Sequence, residues 1–229
     1  GKFLPANQIH ISPDDRGFLF ADVVYEVIRW YEGFFYDMEG HMARLKRSMR
    51  EIRLEWTEAD SFPAVAQELI TRNGLNNLPV FVYLQVTRGV SKRSHAFPSP
   101  GIAPTVYAFA RSFNPEKDLI AKGIHTILLE DTRWARCDIK SVSLLPNILS
   151  FQEAMECGSL ECIFIRDNII TECAHSNVFF VIDDILWTHH ESERVLAGIT
   201  RKNVLHLARE AGITVNETPV PVNRLNDIS

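Results

Sequence analysis

The sequence predicts a two-lobed fold of the α/β or α+β class, on three observations. Strand-like and helix-like segments alternate along most of the chain. A break at Asn114-Pro115, followed by the charged residues 116–118, separates two halves. The sequence contains no internal repeat that would indicate a solenoid and no low-complexity tract that would indicate a linker. We therefore expect an N-terminal lobe over residues 1–114 and a C-terminal lobe over residues 115–229.

The N-terminal lobe is predicted to contain two helices followed by two strands. Segments 41–52 and 62–72 have helical periodicity, whereas segments 80–88 and 105–113 are rich in β-branched and aromatic residues. The apolar positions of the first helix are Met42, Leu45, Met49 and Ile52.

The C-terminal lobe is predicted to alternate between strands and helices. Segments 124–129 and 160–165 read as strands, with a helix at 147–157 between them. Three short strands follow and end near Trp187.

The last predicted elements are a helix and a strand. Thr200 opens the helix and Gly212 ends it, and residues 213–222 form the strand. The apolar stripe of this helix is predicted at Val204, Leu207, Ala208 and Ala211.

Composition narrows the possible partners. The 229 residues are 46% hydrophobic and 23% charged, as in a folded globular protein. A net charge of −5 provides no basic surface for nucleic acid or anionic lipid. Apolar runs such as 178–182 are far shorter than the roughly 20 residues that span a bilayer, and the first residues do not resemble a secretory signal. We expect small-molecule partners and a cytoplasmic protein.

The cysteines indicate neither a disulfide framework nor a metal site. Four cysteines are few and irregularly spaced, which fits a reducing compartment. Cys157 and Cys162 lack a second pair at zinc-ligand spacing, and His189 and His190 are adjacent rather than three to five residues apart. We expect no bound metal.

One lysine is a candidate nucleophile. Lys140 precedes the apolar residues Val142, Leu144 and Leu145, and partial burial near cations such as Arg133 lowers the pKa of an amine. The structural alternative is a lysine whose long stem reaches solvent. On sequence alone both interpretations stay open.

Two further positions support a cofactor with a phosphate and a ring nitrogen. Gly198-Ile199-Thr200-Arg201 places backbone N–H groups and a hydroxyl at a helix start, which favours a dianionic phosphate. The alternative is that Thr200 only caps the helix. Glu172 follows a strand-like segment, so it is either an ordinary strand-end carboxylate or the partner of a protonated pyridine nitrogen.

Taken together, these segments resemble a known family, the class IV aminotransferases of fold type IV, and especially D-amino acid aminotransferases. The resemblance covers nearly the whole chain and is strongest over residues 130–145, around Arg136-Cys137-Asp138-Ile139-Lys140-Ser141. The other matching motifs lie, in order, at 15–20, 24–27, 41–45, 86–89, 171–179 and 198–201.

The resemblance implies a pyridoxal 5′-phosphate enzyme with a smaller N-terminal α/β lobe and a larger C-terminal cofactor-binding lobe. Lys140 would form the Schiff base and carry the proton. Glu172 would pair with the pyridine nitrogen, and Arg44, Ile199 and Thr200 would hold the phosphate.

The resemblance also implies a trap for the substrate carboxylate. Tyr25, Arg93 and His95 are its members, and the loop with Arg93 and His95 would reach the neighbouring active site of a homodimer. The alternative for Lys92-Arg93-Ser94-His95 is a solvated basic loop. The side on which the carboxylate is held would select the D enantiomer.

The implied reaction is transamination between D-amino acids such as D-alanine and a 2-oxo acid such as 2-oxoglutarate. Aminodeoxychorismate lyase, which eliminates pyruvate with the same lysine and cofactor, is the first alternative; a branched-chain aminotransferase matches only partly. Relatives continue beyond the position of Ser229, so the C-terminal end of the fold is expected to be missing, and a non-catalytic truncated member is the second alternative. Ala21, Val23 and the segment Cys173-Ala174-His175 depart from the family pattern and leave the substrate range open.

Overall fold

The computed structural model describes residues 1–98, 102–115 and 117–228. They divide into two compact units, the first containing Gly1–Pro115 and Lys140–Ser143 and the second containing Glu116–Ile139 and Leu144–Ser229. No helix in the described ranges is long and apolar enough to cross a membrane.

The first unit combines a four-stranded sheet with helices. Its elements are α1 (Arg16–Phe20), β1 (Val23–Tyr31), β2 (Phe34–Phe35), α2 (Met38–Glu51), α3 (Phe62–Arg72), β3 (Val80–Thr87) and β4 (Thr105–Ser112), with 3-10 turns at Ala6–Gln8 and Ala59–Ser61. The two helices and two strands predicted from the sequence are confirmed within a few residues. The strand β1 and the short elements α1 and β2 were not predicted.

Strict alternation of side chains builds the core of this unit. The strands are antiparallel in the order β2-β1-β3-β4. Val24 and Ile28 of β1 and Val82 and Leu84 of β3 are fully buried, while the residues between them lie on the other face. Leu45 of α2 is also fully buried, and burial of each such side chain contributes about 1.5–3 kcal/mol.

Residues 140–143 lie in the first unit, which corrects the expected division after residue 114. The N-terminal half of β1 has an edge that β2 does not reach, because β2 pairs only with Trp30 and Tyr31. The backbone N–H of Tyr25 donates to the carbonyl of Lys140 at 3.0 Å, and Val24 forms a bridge with Ser141. Backbone pairing with β1 therefore fixes the position of Lys140 in this unit.

The second unit contains two small sheets. Its elements are α4 (Lys117–Lys122), β5 (Thr126–Glu130), α5 (Leu145–Glu156), β6 (Glu161–Arg166), β7 (Ile169–Cys173), β8 (Phe180–Ile182), β9 (Ile185–Trp187), α6 (Ile199–Glu210) and β10 (Val215–Asn216), with a 3-10 helix at Val222–Asp227.

Each small sheet combines a hairpin with a parallel crossover. In the order β5-β6-β7, α5 connects the parallel strands β5 and β6; in the order β10-β9-β8, α6 connects the parallel strands β9 and β10. Two-residue turns at Asp167-Asn168 and Asp183-Asp184 close the hairpins, and all four residues have positive φ. Asp and Asn tolerate this backbone conformation best among residues with a side chain.

Two predicted elements of this unit need correction. The strand expected over residues 213–222 is reduced to β10, because Pro219 and Pro221 lack the N–H group that a ladder requires. The stripe of α6 is also different: Leu207 is 61% exposed, whereas Arg201, Leu205 and Ala208 are buried.

Candidate active site

The first unit holds Lys140 against the N-terminal half of β1. Its backbone N–H donates to Ser48 Oγ at 3.3 Å, and its Nζ lies 4.4 Å from the centroid of the Tyr25 ring. This is cation–π distance, so the Lys140 amine lies in contact with the Tyr25 ring. The structure thus brings together two of the predicted site residues, Lys140 and Tyr25.

Tyr25 itself is supported by a second aromatic ring. Its ring stacks on Tyr83 with centroids 5.7 Å apart, and Tyr83 donates its hydroxyl to Gln85 Oε1 at 2.7 Å. Burial, and then the negative charge of Glu26, raise the pKa of Tyr25. The phenol is therefore a neutral hydrogen-bonding group near neutral pH.

Arg44 lies in a buried charge cluster that the sequence did not indicate. Glu26 on β1 is fully buried and accepts hydrogen bonds from Arg44 Nε and Nη2 at 2.8 and 2.7 Å, while His41 Nδ1 lies 2.8 Å from Glu26 Oε2. Burial alone raises the pKa of Glu26, but Arg44, His41 and the nearby charge of Lys140 bring it below its usual value. The sequence offers one signal for this cluster: the carboxylate of Glu26 stands at a position that the alternation of β1 buries.

Arg93 and His95 lie together after β3. The guanidinium carbon of Arg93 is 5.2 Å from the centroid of the Phe20 ring, and the His95 ring centroid is 5.5 Å from it. Both side chains are exposed. Within the first unit the predicted pair is therefore grouped on one aromatic ring of α1.

In the second unit, Glu172 on β7 is a buried carboxylate with three donors. Its Oε1 accepts from Arg133 Nη1, and its Oε2 accepts from Asn177 Nδ2 at 2.9 Å and from the backbone N–H of Leu196 at 3.0 Å. Burial raises the pKa of Glu172 to about 7, against the opposing effect of Arg133 and the Leu196 N–H group. This carboxyl therefore titrates near neutral pH.

Arg133 connects Glu172 to a second carboxylate. Its Nε and Nη2 donate to Asp131 at 2.8 Å, and its guanidinium carbon lies 4.7 Å from the Phe164 ring centroid. Arg136, the other arginine of this segment, pairs with Asp138 at 2.9 Å. Both cations are thus partnered by carboxylates of the second unit.

Ile199 and Thr200 form the first turn of α6. Gly198 is the N-cap residue, without a side-chain cap, so the alternative role of Thr200 as the N-cap is excluded. A Cβ atom at Gly198 would lie 1.9 Å from Asn177 Oδ1. Asn177 donates to Glu172 and also to the carbonyl of Leu196 at 3.0 Å, so this asparagine connects Glu172 with the segment that leads into α6.

The described residues contain no group of three or more His, Cys, Asp or Glu side chains suited to a metal ion.

The chain matches known proteins over most of its length. The family model for class IV amino-transferases matches residues 23–229. D-alanine aminotransferase of Staphylococcus haemolyticus is 36% identical over 228 residues, which are 99% of this chain and 80% of that protein. The D-alanine aminotransferase of Bacillus licheniformis is 37% identical over 228 residues, or 98% of this chain and 79% of that protein.

Solved structures show the same fold. The branched-chain amino acid aminotransferase from Escherichia coli has a TM-score of 0.85 at 23% identity, covering 100% of this chain and 77% of that one. The PLP-bound form of a hypothetical aminotransferase from Mycobacterium tuberculosis has a TM-score of 0.84 at 22% identity, covering 100% and 82%. The family match and the identity to its relatives show that this chain belongs to the class IV aminotransferases, pyridoxal-phosphate-dependent enzymes of fold type IV.

Proposed function

We propose that this enzyme transfers the amino group of D-amino acids such as D-alanine to a 2-oxo acid such as 2-oxoglutarate. The observation that carries the proposal is the 36% identity over 99% of the chain to a D-alanine aminotransferase. The grouping of Arg93 and His95 on the Phe20 ring supports it, because two cationic or hydrogen-bonding side chains suit a carboxylate substrate.

The residues around Glu172 fit the cofactor. A carboxylate has about four lone-pair sites, and the described residues supply three donors, of which only Arg133 uses Oε1. One site on Oε1 is left for a pyridine N–H group. At the start of α6, a helix of 12 residues without a side-chain cap offers backbone N–H groups to a phosphate.

We assign the cofactor contacts accordingly. Lys140 holds pyridoxal phosphate through its amine, and Glu172 keeps the ring nitrogen protonated. Ile199, Thr200 and Arg44 bind the phosphate, with Glu26 fixing the orientation of the Arg44 guanidinium. When bound, the cofactor supplies an aldehyde carbon that accepts the amino group and a ring that withdraws electrons from the substrate Cα.

The remaining residues hold and deprotonate the substrate. Lys140 Nζ takes the proton from the substrate Cα, as a base that acts from one side only. Tyr25, Arg93 and His95 bind the carboxylate and so determine which enantiomer presents its Cα proton to Lys140. We further propose a homodimer in which the loop with Arg93 and His95 serves the neighbouring subunit.

Borohydride reduction tests the assignment of Lys140. Reduction of the protein with bound pyridoxal phosphate should fix the cofactor mass on the peptide that contains Lys140, and Lys140→Ala should take up no label. Lys202→Ala, which alters a lysine near the start of α6, is the matched control and should label normally. A label on any other lysine would contradict the assignment.

A coupled assay tests the reaction. D-alanine and 2-oxoglutarate should yield pyruvate and glutamate, whereas L-alanine should react at least about a hundredfold more slowly, the discrimination of a transition-state contact worth roughly 3 kcal/mol. Pyruvate released from aminodeoxychorismate without any 2-oxo acid would instead identify a lyase.

A further inference from the structure

Arg16 is a buried arginine that touches the Arg93–His95 loop. It is only 3% exposed and opens α1 after the N-cap residue Asp15. Its Nη1 donates to the carbonyl of Ser94 at 2.6 Å and to the carbonyl of Ala96 at 3.4 Å. These two carbonyls flank His95, so one guanidinium holds the backbone on both sides of that residue.

The same helix also contacts the side chains of the loop. Phe20 lies one turn after Arg16, and the guanidinium carbon of Arg16 is 4.8 Å from the centroid of its ring. Arg93 and His95 contact this ring as well, at 5.2 and 5.5 Å. α1 therefore holds the loop twice, through its backbone and through its two functional side chains.

Asp22 fixes the orientation of Arg16. It accepts from Arg16 Nε at 2.8 Å and from Arg88 Nε and Nη2 at 2.7 and 2.9 Å. Arg88 in turn donates to the carbonyls of Ile52 and Arg53 at 2.5 and 2.8 Å. Arg16 is buried, and its Nε and Nη1 donate to Asp22 and to loop carbonyls, so this arginine is suited to positioning the loop rather than to binding an anion.

We propose that Arg16 is the positioning residue of the substrate-carboxylate loop: it fixes the backbone of residues 94–96 and thereby the directions of Arg93 and His95. The inference rests on the proposed role of Arg93 and His95 in carboxylate binding. A loop that is ordered before the substrate arrives loses no conformational entropy on binding. The contacts of Arg16 with the loop therefore lower KM.

Kinetics of Arg16→Gln and Arg16→Lys in the full-length holoenzyme test this role. Both variants leave Asp22 paired with Arg88. Arg16→Gln should raise KM for D-alanine and for 2-oxoglutarate about tenfold, the usual consequence of losing a charge-assisted hydrogen bond. Arg16→Lys should restore part of the loss, and kcat and the cofactor absorbance should stay near wild type.

Limited proteolysis gives a readout that does not depend on activity. Trypsin should cut after Lys92 and Arg93 faster in Arg16→Gln than in the wild type, as followed by mass spectrometry. Arg72→Lys is the control, since Arg72 also combines an ion pair, with Glu68, and a cation–π contact, with Phe3, elsewhere in the unit. It should leave both KM and the cleavage rate unchanged.

The outcomes separate this inference from the proposed function. If Arg93→Ala raises KM but Arg16→Gln changes neither KM nor cleavage, the positioning role is wrong. If Arg93→Ala leaves KM unchanged, the carboxylate trap itself is wrong, and the role of Arg16 fails with it. Should Arg16→Gln not fold, Arg16→Lys and Phe20→Leu decide, and wild-type KM and cleavage in both would overturn the proposal.

Discussion

At the scale of single residues, the enzyme buries carboxylates and controls their charge with arginines. Glu26 and Glu172 are both almost inaccessible to water, yet the pKa of Glu26 is lowered while that of Glu172 is raised. The difference follows from the partners: Arg44 donates to Glu26 through both Nε and Nη2, whereas the guanidinium of Arg133 is shared between Glu172 and Asp131. A carboxyl with a pKa near 7 is suited to pair, in its ionised form, with the protonated ring nitrogen of the proposed cofactor.

The raised pKa of Glu172 predicts a pH-dependent stability of the cofactor-free protein. The folded state binds the proton more tightly than the unfolded state, whose carboxyl has the ordinary pKa of 4.5. Its stabilising contribution is complete below pH 4.5 and is lost as the pH rises through about 7. The free energy of unfolding should therefore fall over this range by up to roughly 3 kcal/mol from Glu172 alone.

Urea denaturation at pH 5 and pH 7.5 measures this decrease. Glu172→Gln cannot titrate, so its unfolding free energy should change less between the two pH values than that of the wild type. Glu68→Gln, at an exposed residue of α3, should retain the wild-type dependence. An equal decrease in Glu172→Gln and the wild type would assign the effect to other groups.

Glu26→Gln should destabilise the first unit strongly. Arg44 would remain buried opposite a neutral amide, and removing one partner of a buried ion pair costs about 3–5 kcal/mol. Thermal and urea unfolding of the cofactor-free protein measure the loss. For comparison, Glu68→Gln removes an exposed pair with Arg72 and should cost below about 1 kcal/mol, and equal losses in the two variants would mean that the Glu26 cluster is not a stability element.

At the scale of elements, the N-terminus of α6 is joined to β7 through Asn177. The missing Cβ of Gly198 leaves room for the Asn177 amide, which reaches both Glu172 and Leu196. Gly198 thus allows Asn177 to connect the first turn of α6, which is proposed to bind the phosphate, with Glu172, the proposed partner of the ring nitrogen. All of these residues belong to the second unit.

Gly198→Ala should therefore weaken cofactor binding. The new methyl group would displace Asn177 and remove its hydrogen bond to Glu172, a contact to a charged group worth about 1.5–3 kcal/mol. Titration of the apoenzyme with pyridoxal phosphate should show an affinity at least about tenfold lower, with an unchanged circular dichroism spectrum.

A double-mutant cycle identifies the cause of that loss. Asn177→Ala removes the atom that the methyl group would strike, so adding Gly198→Ala to Asn177→Ala should cost little further affinity. Fully additive losses would mean that Gly198 acts through α6 alone.

Sequence patterns predicted the helices and strands whose apolar residues recur with a regular period. They missed the features that depend on contacts between residues distant along the chain. Alternation identified β3 and β4, but Pro219 and Pro221 cut short the last expected strand. Lys140 and Glu172 were proposed as site residues from local motifs, and their roles stay predictions. Arg16 and Asp131 were not, because a charged residue carries no sign in the sequence that a partner distant along the chain will bury it.

At the scale of the whole molecule, each unit contains its own group of proposed site residues. Lys140, Tyr25, Arg93 and His95 belong to the first, and Glu172 with the start of α6 belongs to the second. The backbone between Ile139 and Lys140 passes from one unit to the other, which explains why a division at residue 114 alone misplaced the lysine. A further division is proposed between subunits, since the Arg93–His95 loop would serve its neighbour.

Mixed dimers test this last division. In a dimer of one Lys140→Ala subunit and one Arg93→Ala subunit, purified with two different tags, a loop acting on its neighbour leaves one site with both an intact Lys140 and an intact Arg93. Such dimers should have about half of the wild-type kcat with a wild-type KM, because one of two equivalent sites is complete. A mixed dimer of wild type and Lys140→Ala is the control and should behave alike. If the loop serves its own subunit, no complete site forms, and the mixed dimer should retain the raised KM of Arg93→Ala.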